Sequence, residues 1–321
     1  MPIISSDYKA PLWIGGKHAQ TIIPSLFRKV TGIEYRRERL TTRDDDFLDV
    51  DWLQKHNRRL LILSHGLEGS SYQPYILGMA KLFSQNGWDI LAWNFRGCSG
   101  EPNSSVRLYH GGCTDDLKCV IDRALEEKVY QHIGLIGFSL GGNITLKYLG
   151  DYALELPSNI IGACAFSVPC DLYACARSLS AGVNRVYLNR FLDTLKAKMI
   201  AKAKLHPGLF SGVNLQKIED FIEFDNYVTA PMNGFRDAVH YYTECSSKWS
   251  IPHIRTPTLI VNAQNDPFLH PACFPHEACQ KSRAVTFEFP YDGGHQGFTE
   301  NRLSDPFWSE KRALAFMENL F

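Results

Sequence analysis

The sequence has little of what marks several large classes of protein. Its nine cysteines, at positions 98, 113, 119, 164, 170, 175, 245, 273 and 279, are odd in number and never form a C-x-x-C pair, so neither a disulfide framework nor a zinc site is expected. No run approaches the roughly 20 apolar residues that cross a bilayer. The start, from Met1 to Lys9, lacks a basic stretch leading into a long apolar one, so no signal peptide is expected. Thirty-four basic residues balance 34 acidic ones, leaving a formal net charge of +0 and no electrostatic ground for binding nucleic acid. A cytoplasmic protein is the expectation. Its 321 residues, 45% hydrophobic and 21% charged, allow a sizeable core in one body carrying an insertion.

What the chain does contain is concentrated between His132 and Leu149. The first half is a short apolar run ending in Gly137-Phe138-Ser139-Leu140-Gly141; the second places Ile144, Leu146, Tyr148 and Leu149 at helical spacing. A strand therefore feeds a helix through Ser139. This is the G-x-S-x-G nucleophile elbow, in which glycines let strand and helix approach, and the serine is held in a strained turn at a helix N-terminus. The bare five-residue pattern is weak, whereas its placement between strand and helix is specific.

Around it, apolar runs at Leu60–Ser64, Trp88–Phe95, Ile160–Val168, Thr258–Ala263 and Ala284–Pro290 read as buried strands. Helices are expected at Tyr75–Gln85, Thr114–Lys128 and Phe307–Leu320. The alternation predicts an α/β fold, a mostly parallel sheet with helices on both faces. Glu34–Leu40 and Leu48–Leu53 read as a hairpin around Asp44, Asp45 and Asp46, which lack the pattern of a calcium loop and read as a solvated turn. Residues 1–32, rich in Pro and Gly, read as an irregular arm laid over the body, in which His18 is expected as an exposed loop residue, with lining of a pocket by His18 and Gln20 the lesser alternative. Residues 170–235 break the rhythm. There Phe191, Leu192, Leu195, Met199 and Ile200 share one helical face while Lys196, Lys198, Lys202 and Lys204 lie largely elsewhere, as expected of a helical lid packed on the protein. Contact of that helix with an acidic membrane surface is the lesser alternative.

A serine hydroxyl needs a positioned base. Parallel strands deliver their C-terminal loops to one edge, where Asp266 and His295 join Ser139. The order Ser139, Asp266, His295 is that of α/β-hydrolases. His295 is the expected general base and Asp266 the acid orienting it; Asp292 and Asp237 are rival acids, and His65 a rival base. Gly293, Gly294 and Gly297 give the His295 loop freedom. The turn His65-Gly66 after an early strand points to the backbone N–H groups of Leu67 and Leu140 as an oxyanion hole.

Five segments, His65–Ser71, Asn94–Glu101, Gly137–Asn143, Asn265–Phe268 and Gly293–Phe298, together resemble the YheT-like α/β-hydrolases, as do the Gly-Gly-Lys-His-Ala-Gln-Thr arm and Asp49–Trp52. That family groups bacterial proteins regarded as esterases with eukaryotic ABHD-type proteins, some similar to lipases acting on acylglycerols or phospholipids. The resemblance implies Ser139, Asp266 and His295 as its triad. The expected activity is hydrolysis of a small-molecule carboxylic ester, short- to medium-chain or lipid-like, through an acyl-enzyme and without metal or organic cofactor. A thioesterase or amidase would use the same triad, and a ligand-binding protein on this fold would keep the pocket without turnover.

Overall fold

Side chains of β4 (Arg59–Ser64) alternate between two apolar layers: Leu60 and Ile62 face one, Leu61 and Leu63 the other. A strand buried on both faces reads as a continuous apolar run for this reason. The computed structural model describes residues 3–277 and 282–321; the first two residues of the arm and Cys279 lie outside the described residues. The other strands are β1 (Ile3–Ile4), β2 (Arg36–Thr41), β3 (Phe47–Leu53), β5 (Asp89–Trp93), β6 (His132–Phe138), β7 (Ile160–Phe166), β8 (Thr258–Val261) and β9 (Val285–Glu288). They form one sheet in the order β1-β9-β8-β7-β6-β4-β5-β3-β2, parallel from β1 to β5 and antiparallel at the β3 and β2 edge.

The helices are α1 (Lys17–Phe27), α2 (Pro74–Gln85), α3 (Thr114–Glu126), α4 (Leu140–Asp151), α5 (Leu172–Leu179), α6 (Arg185–Leu205), α7 (Ala238–Cys245) and α8 (Trp308–Glu318), with short helical turns between α6 and α7. Ile76, Met79 and Phe83 of α2 join Trp308 and Met317 of α8 on one face of the sheet, whereas Leu117 and Val120 of α3 and Ile144 and Leu149 of α4 pack on the other. Among the described residues, no helix is long and apolar enough to cross a membrane.

The arm and the acidic turn differ from the expectation. The arm is not irregular throughout, because Lys17–Phe27 is a helix with Pro24 inside it. Nor is the acidic turn simply solvated. Arg96, its side chain 2% exposed, bonds Asp44 at 2.8 Å, Asp46 at 3.1 Å and Asp116 at 2.7 Å, which fastens the hairpin turn to α3. A buried guanidinium requires such pairing, since an unpaired buried charge is costly. Burial alone would raise the Asp44 carboxyl, but hydrogen bonds from Arg96 and Thr42 outweigh it and hold the group at about 2.

Between β7 and β8 the chain leaves the sheet, and the helices there continue to Cys245, beyond the expected limit near 235. The helix expected from Phe191 begins at Arg185, and it buries Leu188, Leu192, Leu195 and Met199 against the body. Ile200, placed on that face by periodicity, is instead 39% exposed. Lys202 is buried, donating to the carbonyls of Ser105 and Arg107, and Lys198 pairs with Glu68 at 2.8 Å. Both the apolar face of α6 and two of its lysines are thus engaged by the protein itself.

Candidate active site

Ser139 sits where β6 turns into α4, with φ 51° and ψ −119°, a left-handed conformation that a residue with a side chain adopts only under constraint. The constraint is visible at its glycine neighbours. A Cβ on Gly137 would lie 2.4 Å from the Gly141 carbonyl oxygen, and one on Gly141 would lie 2.3 Å from that of His65. Only hydrogen fits at either position, so the strand and helix close on each other and the serine is forced outward.

The backbone donors nearby follow from the same geometry. Leu140 opens α4, so its N–H has no intrahelical acceptor. At the end of β4, the Gly66 N–H donates to Tyr75 OH at 3.0 Å, the Glu68 N–H to Tyr109 OH at 3.1 Å, and the Gly69 N–H back to the Gly66 carbonyl. Each neighbour of the Leu67 N–H is therefore engaged, whereas that group has no acceptor among the described residues. Glu68, at φ 55°, completes this turn and carries the bonds to Lys198 and Tyr109. The turn is thereby tied to α6.

His65, the rival base, is fully buried. Its Nε2 accepts the Phe95 N–H at 3.1 Å, so the proton resides on Nδ1, which donates to the Gly66 carbonyl at 2.7 Å. Both ring nitrogens are committed to the backbone, and burial pushes the imidazole down to about 3. The ring shapes the turn and stays neutral.

His295 is held differently. Its Nδ1 lies 2.9 Å from Asp266 Oδ2 and 3.1 Å from Oδ1, and its ring stacks on Phe268 with centroids 4.1 Å apart. Asp266 follows β8, and its Oδ1 also accepts the Phe268 N–H at 2.9 Å. The rival acids are elsewhere occupied. Asp292 accepts from Asn265 and Gln20, while Asp237 caps α7 by accepting the His240 N–H at 2.7 Å.

The loop bearing His295 is seated on the N-terminal arm, a role the sequence reading did not anticipate. Thr21 Oγ1 accepts the His295 N–H at 2.9 Å, and Gln20 Oε1 accepts the Gly293 N–H at 2.9 Å. Across the loop, Ser167 Oγ accepts the Gln296 N–H at 2.9 Å. A Cβ on Gly297 would lie 2.1 Å from the Gln20 carbonyl oxygen. These glycines serve close approach to α1 more than loop freedom. His18, expected to be exposed, is half-buried and meets Tyr187 OH of α6 at 2.9 Å. The available signal for α1 was Ile22, Ile23, Leu26 and Phe27 at helical spacing.

Ser139 and His295 line one cavity of about 320 Å³, together with Leu67 and Leu140. Its walls are mostly apolar, from Ile22 and Leu26 of α1, Leu172 and Leu179 of α5, and Phe191 and Leu195 of α6. That volume suits a small organic ligand.

The profile of the α/β-hydrolase fold family matches residues 59–301. YheT of Escherichia coli (strain K12), itself a proposed esterase, is 34% identical over 92% of this chain and 88% of its own. Phospholipase ABHD3 of Mus musculus is 28% identical over 100% of this chain and 78% of its own. Among solved structures, the Pyrococcus furiosus esterase Pf2001 shares the fold, with a TM-score of 0.58 and 18% identity over 91% of this chain and 98% of that one. The chain belongs to the α/β-hydrolase family, in its esterase and lipase branch with YheT.

Proposed function

We propose that the protein hydrolyses carboxylic esters through an acyl-enzyme formed on Ser139. The observation that carries this reading is that a serine strained to φ 51° and a histidine bonded at 2.9 Å to a buried carboxylate line the same cavity. Asp266 fixes the proton of His295 on Nδ1, leaving Nε2 to take the Ser139 proton. Ser139 Oγ attacks the carbonyl, and the resulting oxyanion is met by the N–H groups of Leu67 and Leu140, each worth about 3 kcal/mol in the transition state. His295 then protonates the departing alcohol. Water, deprotonated in turn by His295, releases the acid and restores the serine.

The substrate class follows from the walls. Aliphatic and aromatic side chains from α1, α5 and α6 suit an alkyl acyl chain, and ABHD3, named a phospholipase, is a relative across the whole of this chain. The helices between β7 and β8 act as the cap over this chain. The test is hydrolysis of 4-nitrophenyl esters from acetate to palmitate, with matched thioesters and amides, by wild type and Ser139→Ala. Ester turnover with a medium-chain optimum, abolished in the variant, supports the reading. Turnover confined to thioesters or amides replaces the substrate class, and turnover of none leaves a ligand-binding protein.

A further inference from the structure

Among the described residues, two carboxylate side chains line the cavity, Glu68 and Asp225, and they differ in their partners. Glu68 is matched by a cation, Lys198 Nζ at 2.8 Å, and by Tyr109 OH at 2.6 Å. Asp225 has neutral donors alone: Thr229 Oγ1 donates to Oδ1 and Tyr242 OH to Oδ2, both at 2.5 Å. Arg190, the cationic side chain of the lining, makes no ion pair with it.

This arrangement is unusual in two independent ways. Aromatic side chains surround it in the lining, Phe221, Phe224, Tyr241 and Tyr242, an environment in which a carboxylate is costly unless a positive charge accompanies it. Burial accordingly pushes Asp225 up to about 6, against the lowering effect of its two hydrogen bonds, with Asp220 adding to the rise. Separately, Asp225–Thr229 is a π-helical turn between two short α-helical ones, a departure from regular helix that recurs at functional sites. Two donors leave a carboxylate with further lone pairs to offer.

We propose that Asp225 receives a protonated amine carried by the substrate at the end remote from its ester carbonyl. The ligand brings the counter-ion that the protein does not supply, and the apolar walls take the methylenes between the two ends. The proposal rests on the ester-hydrolase reading and narrows it to amine-bearing esters. It is a binding role, separate from the chemistry at Ser139.

The amine can enter on the acyl or on the alcohol side, and isosteric pairs distinguish these. We would compare 4-nitrophenyl 6-aminohexanoate with the heptanoate, and 5-aminopentyl butyrate with hexyl butyrate, in wild type and Asp225→Asn. In one pair or the other, wild type should favour the amine-bearing ester at least tenfold in kcat/KM, and the variant should lose that ratio. A ratio cancels any general damage to the cap. Wild type showing no preference in either pair, or a variant keeping the ratio, overturns the proposal. Calorimetric binding of hexylamine and hexanol at pH 7.5 decides it without turnover. Wild type should bind hexylamine at least tenfold more tightly than hexanol, even if no ester is cleaved and the hydrolase reading fails; equal affinities overturn the proposal.

Discussion

Thr21 Oγ1 accepts the backbone N–H of His295 at 2.9 Å, joining residues 274 positions apart. The same hydroxyl donates to the Lys17 carbonyl at 2.7 Å, so it is oriented by its own helix before it meets the loop. Removing it leaves a part-buried N–H without an acceptor, a loss of about 1 kcal/mol or more. Thr21→Val should therefore lower kcat about tenfold or more by loosening His295, whereas Thr21→Ser, which keeps the acceptor, should stay within about threefold. Steady-state kinetics on one ester, under conditions where circular dichroism shows both variants fully folded, separates this effect from general damage.

The elbow tolerates no added volume. Gly141→Ala would set a methyl group 2.3 Å from the His65 carbonyl oxygen and 2.5 Å from that of Ser64. Neither atom is the end of a flexible side chain, so the strand and helix must separate. A loss of about 3 kcal/mol or more is expected, read as a fall in the urea unfolding midpoint. Gly208→Ala removes a glycine with open space around it but at φ 87°, and should be milder, limited to backbone strain.

These two relationships also mark what could be read from the chain. The elbow was legible because its constraint is local: Gly137, Ser139 and Gly141 need one another at fixed spacing. The Asp266 and His295 positions followed from strand ends, because parallel strands deliver their loops to one edge. Helix α1 was not legible. Pro24 suggested a break, yet it falls in the last turn, where the missing N–H leaves the Gln20 carbonyl free of a helical donor, and Gly297 packs against that carbonyl. The acidic turn was misread for a related reason, since the partner of Asp44 and Asp46 is Arg96, some 50 residues on. Long-range polar pairing leaves no periodic trace.

Acid should destabilise the protein through its buried histidines. Loss of hydration pushes both His65 and His110 down to about 3. The unfolded chain takes up these protons below about pH 6.5 while the folded one does not, so stability present above that pH is lost as pH falls, at about 1.4 kcal/mol per unit for each histidine. Asp225 works in the opposite sense. Its folded value of about 6 lies above the ordinary carboxylate value, so the folded state holds a proton that the unfolded state releases between roughly pH 4 and 6. Urea midpoints measured from pH 7 to pH 4.5 should fall, and they should fall more steeply in Asp225→Asn.

Asp266 and its rival Asp292 should separate sharply on mutation. Asp266→Asn keeps the shape but reverses the hydrogen bond to Nδ1, and kcat should drop by about 10⁴. Asp292→Asn disturbs the contacts to Gln20 and Asn265 and should cost no more than about tenfold. Equal losses in the two variants would mean that the acid has been misassigned.

The most direct measurement is to treat the protein with a fluorophosphonate and locate the adduct by peptide mass spectrometry. A single phosphonylated residue, Ser139, with labelling lost in Ser139→Ala and strongly slowed in Asp266→Asn, is the predicted result. Labelling at another residue, or undiminished labelling of Ser139→Ala, would contradict the account.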